Sequence, residues 1–439
     1  MMRRFIILCI MFFAWVQSVQ AGGFQIGEMA TRATGMGSAF TAVANDASAA
    51  WYNPAGVAFS SGSEVMLGGD AIISPGVDFT TNTANPLNPA SSSTKSKTFF
   101  VPHAYYTYMD QGSKLGASIS VNSPFGLETE WPTTAAFANK NTFSRIQMAN
   151  INPSVVFMLT DKVSVAAGFS YAYAINVDLD NTLQHLNGNG DGWGGNVAVF
   201  YKGDGFNLGV SYRSRIKINV DGTATAVPGS ALAGAPFGAT SSSAKTDITL
   251  PDIVNVGLAW MPNEDLTLSL DVDWVNWKTF DAINITYASG AYRGAVGGLG
   301  VAAAGGGLAA IGAAIAAQTG NTALPQNWKS TVAVRAGIEW KYNPQMRARF
   351  GYVYDPTPIR NADFSPGIPG NDRHIFSVGY GYDFNSNTTI DLAYAFVYFV
   401  KRNQTQSTVG PAVGAPNTVK NGQYKNNVHI LATSVSYRF

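Results

Sequence analysis

The last residues of the chain alternate without a break. Leu431, Thr433, Val435, Tyr437 and Phe439 fall on one face, and Ala432, Ser434, Ser436 and Arg438 on the other, the period of two that marks a strand. The same pattern recurs upstream. In 206–219, Phe206, Leu208, Val210, Tyr212, Ile216 and Ile218 oppose Asn207, Ser211, Arg213, Arg215, Lys217 and Asn219. In 265–275, Leu266, Leu268, Leu270, Val272 and Trp274 oppose Thr267, Ser269, Asp271 and Asp273. In 331–342, Val332, Val334, Ile338 and Trp340 oppose Thr331, Arg335, Glu339 and Lys341, and in 388–400 an apolar face from Ile390 to Tyr398 opposes Asp391. Between such segments, short polar turns rotate with long loops. The turns are Asp110–Ser113, Thr160–Lys162, Lys202–Gly205, Pro262–Asp265, Tyr342–Pro344 and Asn385–Asn387. The loops lie near 79–97, 126–143, 180–191, 221–244, 288–327, 356–371 and 403–423. Seven loops and six turns separate fourteen strands, an even number, as a closed antiparallel barrel requires.

Periodicity alone does not separate a membrane barrel from a soluble sandwich. Charge confined to one face of long strands does, and so does a chain ending on an aromatic strand that needs a partner to have no free edge. Composition agrees. Charged residues are 13% of the 439, against about a quarter in soluble proteins, and aromatics are 12%. The expected fold is an all-β transmembrane barrel of 14 antiparallel strands, residues 61–439, with short turns toward the periplasm and long loops outside.

The N-terminus fits that compartment. Arg3 and Arg4 precede the apolar run Phe5–Val16, which is too short to span a bilayer, and Val19-Gln20-Ala21 offers small residues for cleavage. Residues 1–21 read as a secretory signal. The single cysteine, Cys9, lies within it, so the mature chain has no disulfide, thiolate metal site or cysteine nucleophile. Without Arg3 and Arg4, 26 basic residues face 27 acidic ones, which gives nucleic acid no handle. Residues 22–60, rich in Gly, Ala and Ser, do not alternate and read as a compact, partly helical piece.

Candidate chemistry is sparse. Gly190-Asp-Gly-Trp-Gly-Gly195 matches G-x-G-x-x-G, but a strand follows it where a dinucleotide site needs a helix. Asn187–Gly192 resembles the start of a calcium loop, yet its twelfth position is Ala198 rather than Glu. His103, His185, His374 and His429 lack metal-ligand spacing, and no nucleophile elbow occurs. No enzyme activity, metal or cofactor is expected. Arg213, Arg215, Lys217, Asp271, Asp273, Arg335, Glu339, Arg347, Arg349 and Asp391 are assigned to the lumen, as a lattice of ion pairs or as a polar path. Gly294–Ala317 reads as an external loop with an apolar helix.

Several motifs, in order, resemble the FadL-type family of long-chain fatty-acid outer-membrane transporters, which includes toluene and xylene channels. They are Gly22-Gly-Phe-Gln25, Asn53-Pro54-Ala55, Asn122-Ser123-Pro124-Phe125-Gly126-Leu127 with Glu128-Thr-Glu130, His185–Asn189 with Trp193, Tyr212–Ser214 with Lys217-Ile218, and Leu250-Pro251 with Trp274 and Trp277. The resemblance implies a barrel plugged by an N-terminal hatch, residues 22–60, with passive uptake of hydrophobic molecules. Substrate would be caught at the external loops and held beside Phe24 and Gln25. A hatch movement would then release it sideways at a kink in the third strand, residues 122–127, while Asn53, Pro54 and Ala55 hold the hatch. The family's basic residues near the substrate carboxylate have no evident match, and Arg293 and Lys329 are the nearest substitutes. The expected partners are a hydrophobic small-molecule substrate, outer-membrane lipid and lipopolysaccharide, and the barrel-assembly machinery at Phe439, with the protein a monomer. A general porin or a structural or adhesive barrel is the alternative.

Overall fold

The structure, a computed structural model, describes residues 23–82, 91–234, 237–303, 310, 313, 320–405 and 420–439. The expected signal 1–21 and Gly22 lie outside them. Fourteen staves follow one another: β1 (Gly62–Ser74), β2 (Lys97–Asp110), β3 (Leu115–Asn122, then Gly126–Glu130), β4 (Phe143–Thr160), β5 (Val163–Asp180), β6 (Gln184–Lys202), β7 (Phe206–Arg213, then Ile216–Ala226) and β8 (Ser241–Leu250, then Ile253–Asn263). The remainder are β9 (Leu266–Val275, then Ala282–Tyr287), β10 (Thr322–Pro325, then Thr331–Asn343), β11 (Met346–Asp355), β12 (Arg373–Asp383), β13 (Thr388–Phe399) and β14 (Asn427–Arg438). Each pairs antiparallel with the next, and β14 closes on β1 from Glu64–Arg438 to Ile73–His429. Phe439 N donates to Ser63 O at 3.0 Å, so the terminal residue is held in the seam. Four short strands (Asp78–Thr81, Ser91–Ser93, Arg402–Gln404 and Gly422–Lys425) form a separate sheet from the loops after β1 and β13.

The outer face is an apolar belt. Leu208, Val256, Leu270 and Val334 are all at least 40% exposed, which water would penalise and hydrocarbon does not. No helix among the described residues is long and apolar enough to cross a membrane.

On β7 to β10 the belt ends at one level, through a register change. Arg213 faces Asn196 and Asn219 faces Asp191, so six residue steps on β7 run against five on β6. A one-residue bulge turns every later side chain to the other face. Below it Leu208 and Val210 point outward; above it Ile216, Ile218 and Val220 are buried inside. β8 breaks beside it at Pro251-Asp252, where proline lacks the N–H for a ladder bond. β9 breaks at 276–281 and β10 at 326–330.

This corrects two lumen assignments. Arg215 and Lys217 point outward, their side chains 59% and 60% exposed, and pair with Asp252 and Asp247 on β8. Alternation counted through Ser214-Arg215 conceals the bulge. The 180–191 loop is also corrected. β5 runs to Asp180 and β6 starts at Gln184, so Asn187–Gly192 and Gly190–Gly195 are strand. Gly190 is needed there because a Cβ would stand 1.9 Å from Asn219 O on the neighbouring strand. The external helix spans Gly290–Ala303, and most of 304–319 lies outside the described residues.

The inversion predicts accessibility. With no cysteine beyond Cys9, Lys217→Cys and Asp221→Cys are expected to react with a membrane-impermeant maleimide on intact cells, while Val210→Cys does not. Equal labelling of all three contradicts the inverted rim.

Candidate functional site: an apolar chamber above a polar plug

Residues 23–60 pack against inward-facing residues of β5, β9, β10 and β12. They form α1 (Thr31–Gly35), α2 (Ala49–Tyr52) and a 3-10 turn, Pro54–Phe59. Asn53 starts that turn. Its Oδ1 accepts from Ala55 N (3.1 Å) while Nδ2 donates to Thr41 O (3.0 Å) and to Val199 O on β6 (3.1 Å). One side chain thus caps a turn and ties the plug to the wall, with Pro54 at the first position, where its missing N–H costs nothing.

The lower lumen is polar. Arg32 of α1 grips Glu339 of β10 through two bonds (2.7 and 2.8 Å), and Arg349 of β11 bridges Glu339 and Asp391 (2.6 Å each). Arg335 pairs with Asp273, and Asp271 Oδ2 accepts from Thr41 N (2.8 Å). Arg213 stacks 3.6 Å over Trp51 of α2 and donates to Asn152 Oδ1 at 2.8 Å. Opposite charges inside a barrel lose their water, and only mutual pairing compensates. Of the residues assigned to a lattice, Arg347 is at its edge, half-exposed beside Asp383.

At mid-height β3 is interrupted at 123–125. The plug's first residues fill the break. Ile26 N donates to Pro124 O (2.9 Å), and Gly126 N donates to Phe24 O (2.8 Å), with Gln25 bridged to Phe125. Phe24 is fully buried, its ring 5.0 to 5.9 Å from those of Trp277, Phe280, Trp328 and Phe125. Above the break, Gly126–Glu130 pairs with β4, and Lys97–His103 of β2 pairs with β1. The β2–β3 ladder stops at Ala104–Val121. Across the remaining seam Lys97 pairs with Glu128 and Glu130, and Lys95 with Glu130. Here these ion pairs and one backbone bond, Lys95 N to Glu130 O at 3.0 Å, hold the wall in place of a ladder.

Over this junction the inverted rim encloses a cavity of about 490 Å³. Leu127, Ile146, Val177, Ile248 and Leu324 line it, and four cations stand at its wall: Lys140, Arg145, Lys420 and, paired with Asp221 at the exposed edge, Lys245. Arg145 is paired with Asp178 at 2.7 Å. Lys420 is 2% exposed, and its Nζ donates to a backbone oxygen, that of Phe364, at 3.1 Å. Burial and the neighbouring Lys140 charge push its ammonium down to about 8, and burial also lowers Lys140. An ammonium so placed gains from an incoming anion.

Phe24, Gln25 and 122–127 are therefore brought together. Asn53–Ala55 lie lower, against β6. Arg293 and Lys329 do not reach the chamber. Arg293 donates to Tyr287 O (2.5 Å) and Ala288 O (3.2 Å) at the outer rim, and Lys329 is exposed while its neighbour Trp328 turns inward. Lys140 and Lys420 are the cations sequence reasoning missed. They come from loops more than 270 residues apart, without motif or spacing.

The family model described as "Outer membrane protein transport protein (OMPP1/FadL/TodX)" matches residues 12–439. The chain belongs to this family. It is an outer-membrane protein of the FadL/TodX type. Among curated relatives of this FadL/TodX-family chain, the long-chain fatty acid transport protein of Escherichia coli K12 is 22% identical over 86% of this chain and 88% of its own. Solved structures agree in fold. A Pseudomonas aeruginosa FadL homologue has a TM-score of 0.74 at 16% identity, covering 95% of this chain and 100% of the other. The Ralstonia pickettii toluene transporter TbuX scores 0.64 at 16% identity, over 93% and 98%.

Glu339 is the carboxylate that Arg32 and Arg349 share, while Asp46 and Asp391 remain beside them when it is removed. Glu339→Ala is therefore expected to cost about 1.5–3 kcal/mol, the loss of charge-assisted hydrogen bonds in a buried lattice. The check is the denaturant midpoint of the refolded barrel, and a midpoint equal to wild type contradicts the role given to Glu339.

Proposed function

We propose that this FadL/TodX-family barrel is a passive channel for hydrophobic small molecules, and that the chamber also accepts those bearing an acidic head. The observation carrying the reading is the apolar cavity of about 490 Å³ with the buried Lys420 ammonium at its wall. In this reading a molecule enters between the external loops and leaves water for the chamber, a transfer worth about 25 cal/mol per Å² of apolar surface. Its head group meets Lys140 and Lys420. The Phe24–Ile26 segment releases its bonds to Pro124 and Gly126, and the molecule passes sideways where the β2–β3 ladder is open. A lateral route suits an apolar cargo, because it passes from one dry environment to another without crossing the periplasm. A lumen filled by residues 23–60 and their ion pairs argues against the general-porin alternative.

Two experiments test this. Gly126→Val adds a β-branched side chain at the break. Uptake of labelled fatty acid and labelled toluene by cells lacking their own transporter is expected to fall with the barrel still folded, and normal uptake removes the exit from 122–127. For the head group, Lys140→Met with Lys420→Met is expected to weaken binding of a fatty acid about 10- to 100-fold, the loss of one or two charge-assisted hydrogen bonds, and to leave toluene binding unchanged. The wild-type preference is also expected to depend on pH. Lys420 is cationic below its value near 8, so fatty-acid affinity is full at pH 6.5 and falls as pH rises through 8, with no change for toluene. A pH-independent ratio of the two affinities excludes Lys420 as the receiving group.

A further inference from the structure

The two edges of the open seam keep a common register. The β2–β3 ladder ends at Ala104–Val121, and the wall rejoins where Lys95 N donates to Glu130 O at 3.0 Å. Nine residue steps separate those two points on β2 and nine on β3. The register at the top is therefore that of the ladder below, and each residue of 96–103 has a mate in 122–129. Lys97 stands opposite Glu128 in this register, and the two are joined as an ion pair. Lys97 also reaches Glu130 at 2.8 Å, and Lys95 pairs with Glu130. Fully extended, nine steps measure about 30 Å. The seam is a slit, in register and stitched at its outer end.

Its two halves differ. Pro102 and Pro124 sit on adjacent rungs of this register, and neither has an N–H for a ladder bond. The mate of Pro102 is Ser123, whose hydroxyl donates to Met148 O on β4 (2.6 Å) and not across the slit. Pro124 O is taken by Ile26 N of the plug. The lower half is thus barred from zipping. The upper half, Thr98–Phe100 against Phe125–Leu127, has no proline, and the stitch holds its edges. The Lys95 and Glu130 side chains are 70% and 28% exposed, which puts the stitch at the aqueous rim. An ion pair there parts at little cost, because water takes both charges. A ladder bond parted in hydrocarbon leaves bare N–H and C=O groups.

We propose that the stitch of Lys95 and Lys97 to Glu128 and Glu130 is a catch that selects cargo by size. The inference rests on the lateral exit proposed above. With the catch closed, release of the Phe24–Ile26 segment frees only the lower, proline-bounded aperture, which suits a compact aromatic. The chamber lies against the upper half, where Leu127 lines it. A long chain lying there must bend to leave below, and leaves broadside once the catch parts.

The test joins the edges of the slit. Lys97→Cys with Glu128→Cys, in cells lacking their own transporter, is linked by a short bis-methanethiosulfonate and released by reductant, with the linkage counted by mass spectrometry. Unlinked, this variant is expected to take up labelled palmitate at least as fast as wild type. Linked, its palmitate uptake is expected to fall at least about tenfold, the block of a gate on the route, and to return on reduction, while toluene uptake is unchanged. Palmitate uptake untouched by the link overturns the catch, and so does equal loss of both cargoes or loss of palmitate uptake before linking. Gly126→Val separates the catch from the exit itself. If that variant slows both cargoes while the link slows neither, the exit stands and the catch falls. If neither change alters uptake, the exit falls with it.

Discussion

A strand in hydrocarbon has no water to satisfy its N–H and C=O groups, so every one must be bonded within the protein. The closure of β14 on β1 meets that demand around the ring. The wall departs from it between β2 and β3, above Ala104–Val121. There the plug's own backbone at Phe24 and Ile26 bonds to Gly126 and Pro124, and Lys95 and Lys97 span the remaining seam. The plug and the wall's discontinuity thus complete each other. Removing residues 23–26 from the break would leave polar backbone facing an apolar box of rings.

The bulge level on β7 to β10 organises the interior in the same way. Below it the lumen is lined by charges that must pair, and Arg32, Arg335 and Arg349 do so with Glu339, Asp273 and Asp391. Above it on these strands, Ile216, Ile218, Val220 and Ile248 face inward and Arg215 and Lys217 face outward. A single barrel therefore holds a polar lower lumen and a largely apolar chamber above it. One extra residue at Ser214-Arg215 achieves this without a change in composition, because parity along a strand decides which face a side chain takes.

Much of the architecture was legible along the chain. The rotation of short turns with long loops counted the staves, and one-sided charge on 265–275 and 331–342 identified the lumen face. The conjunction of Phe24 and Gln25 with 122–127 was legible only through family resemblance. What eluded the pattern was wherever local alternation continues through a change in register. Arg215 and Lys217 sat on the same parity as Arg213 and were assigned with it, and the glycine-rich 187–195 looked like a loop although its neighbours need the space a side chain would take.

The sequence by itself determined most strands, the compartment and the polar face wherever alternation runs unbroken, because these follow from a period of two and from charge kept to one side. Tertiary structure alone decided that Lys140 and Lys420 meet at one chamber and that Arg293 and Lys329 do not. The reason is physical. A period along one strand reports which side a residue faces, whereas proximity between loops depends on how fourteen staves are staggered and closed, which no single strand encodes.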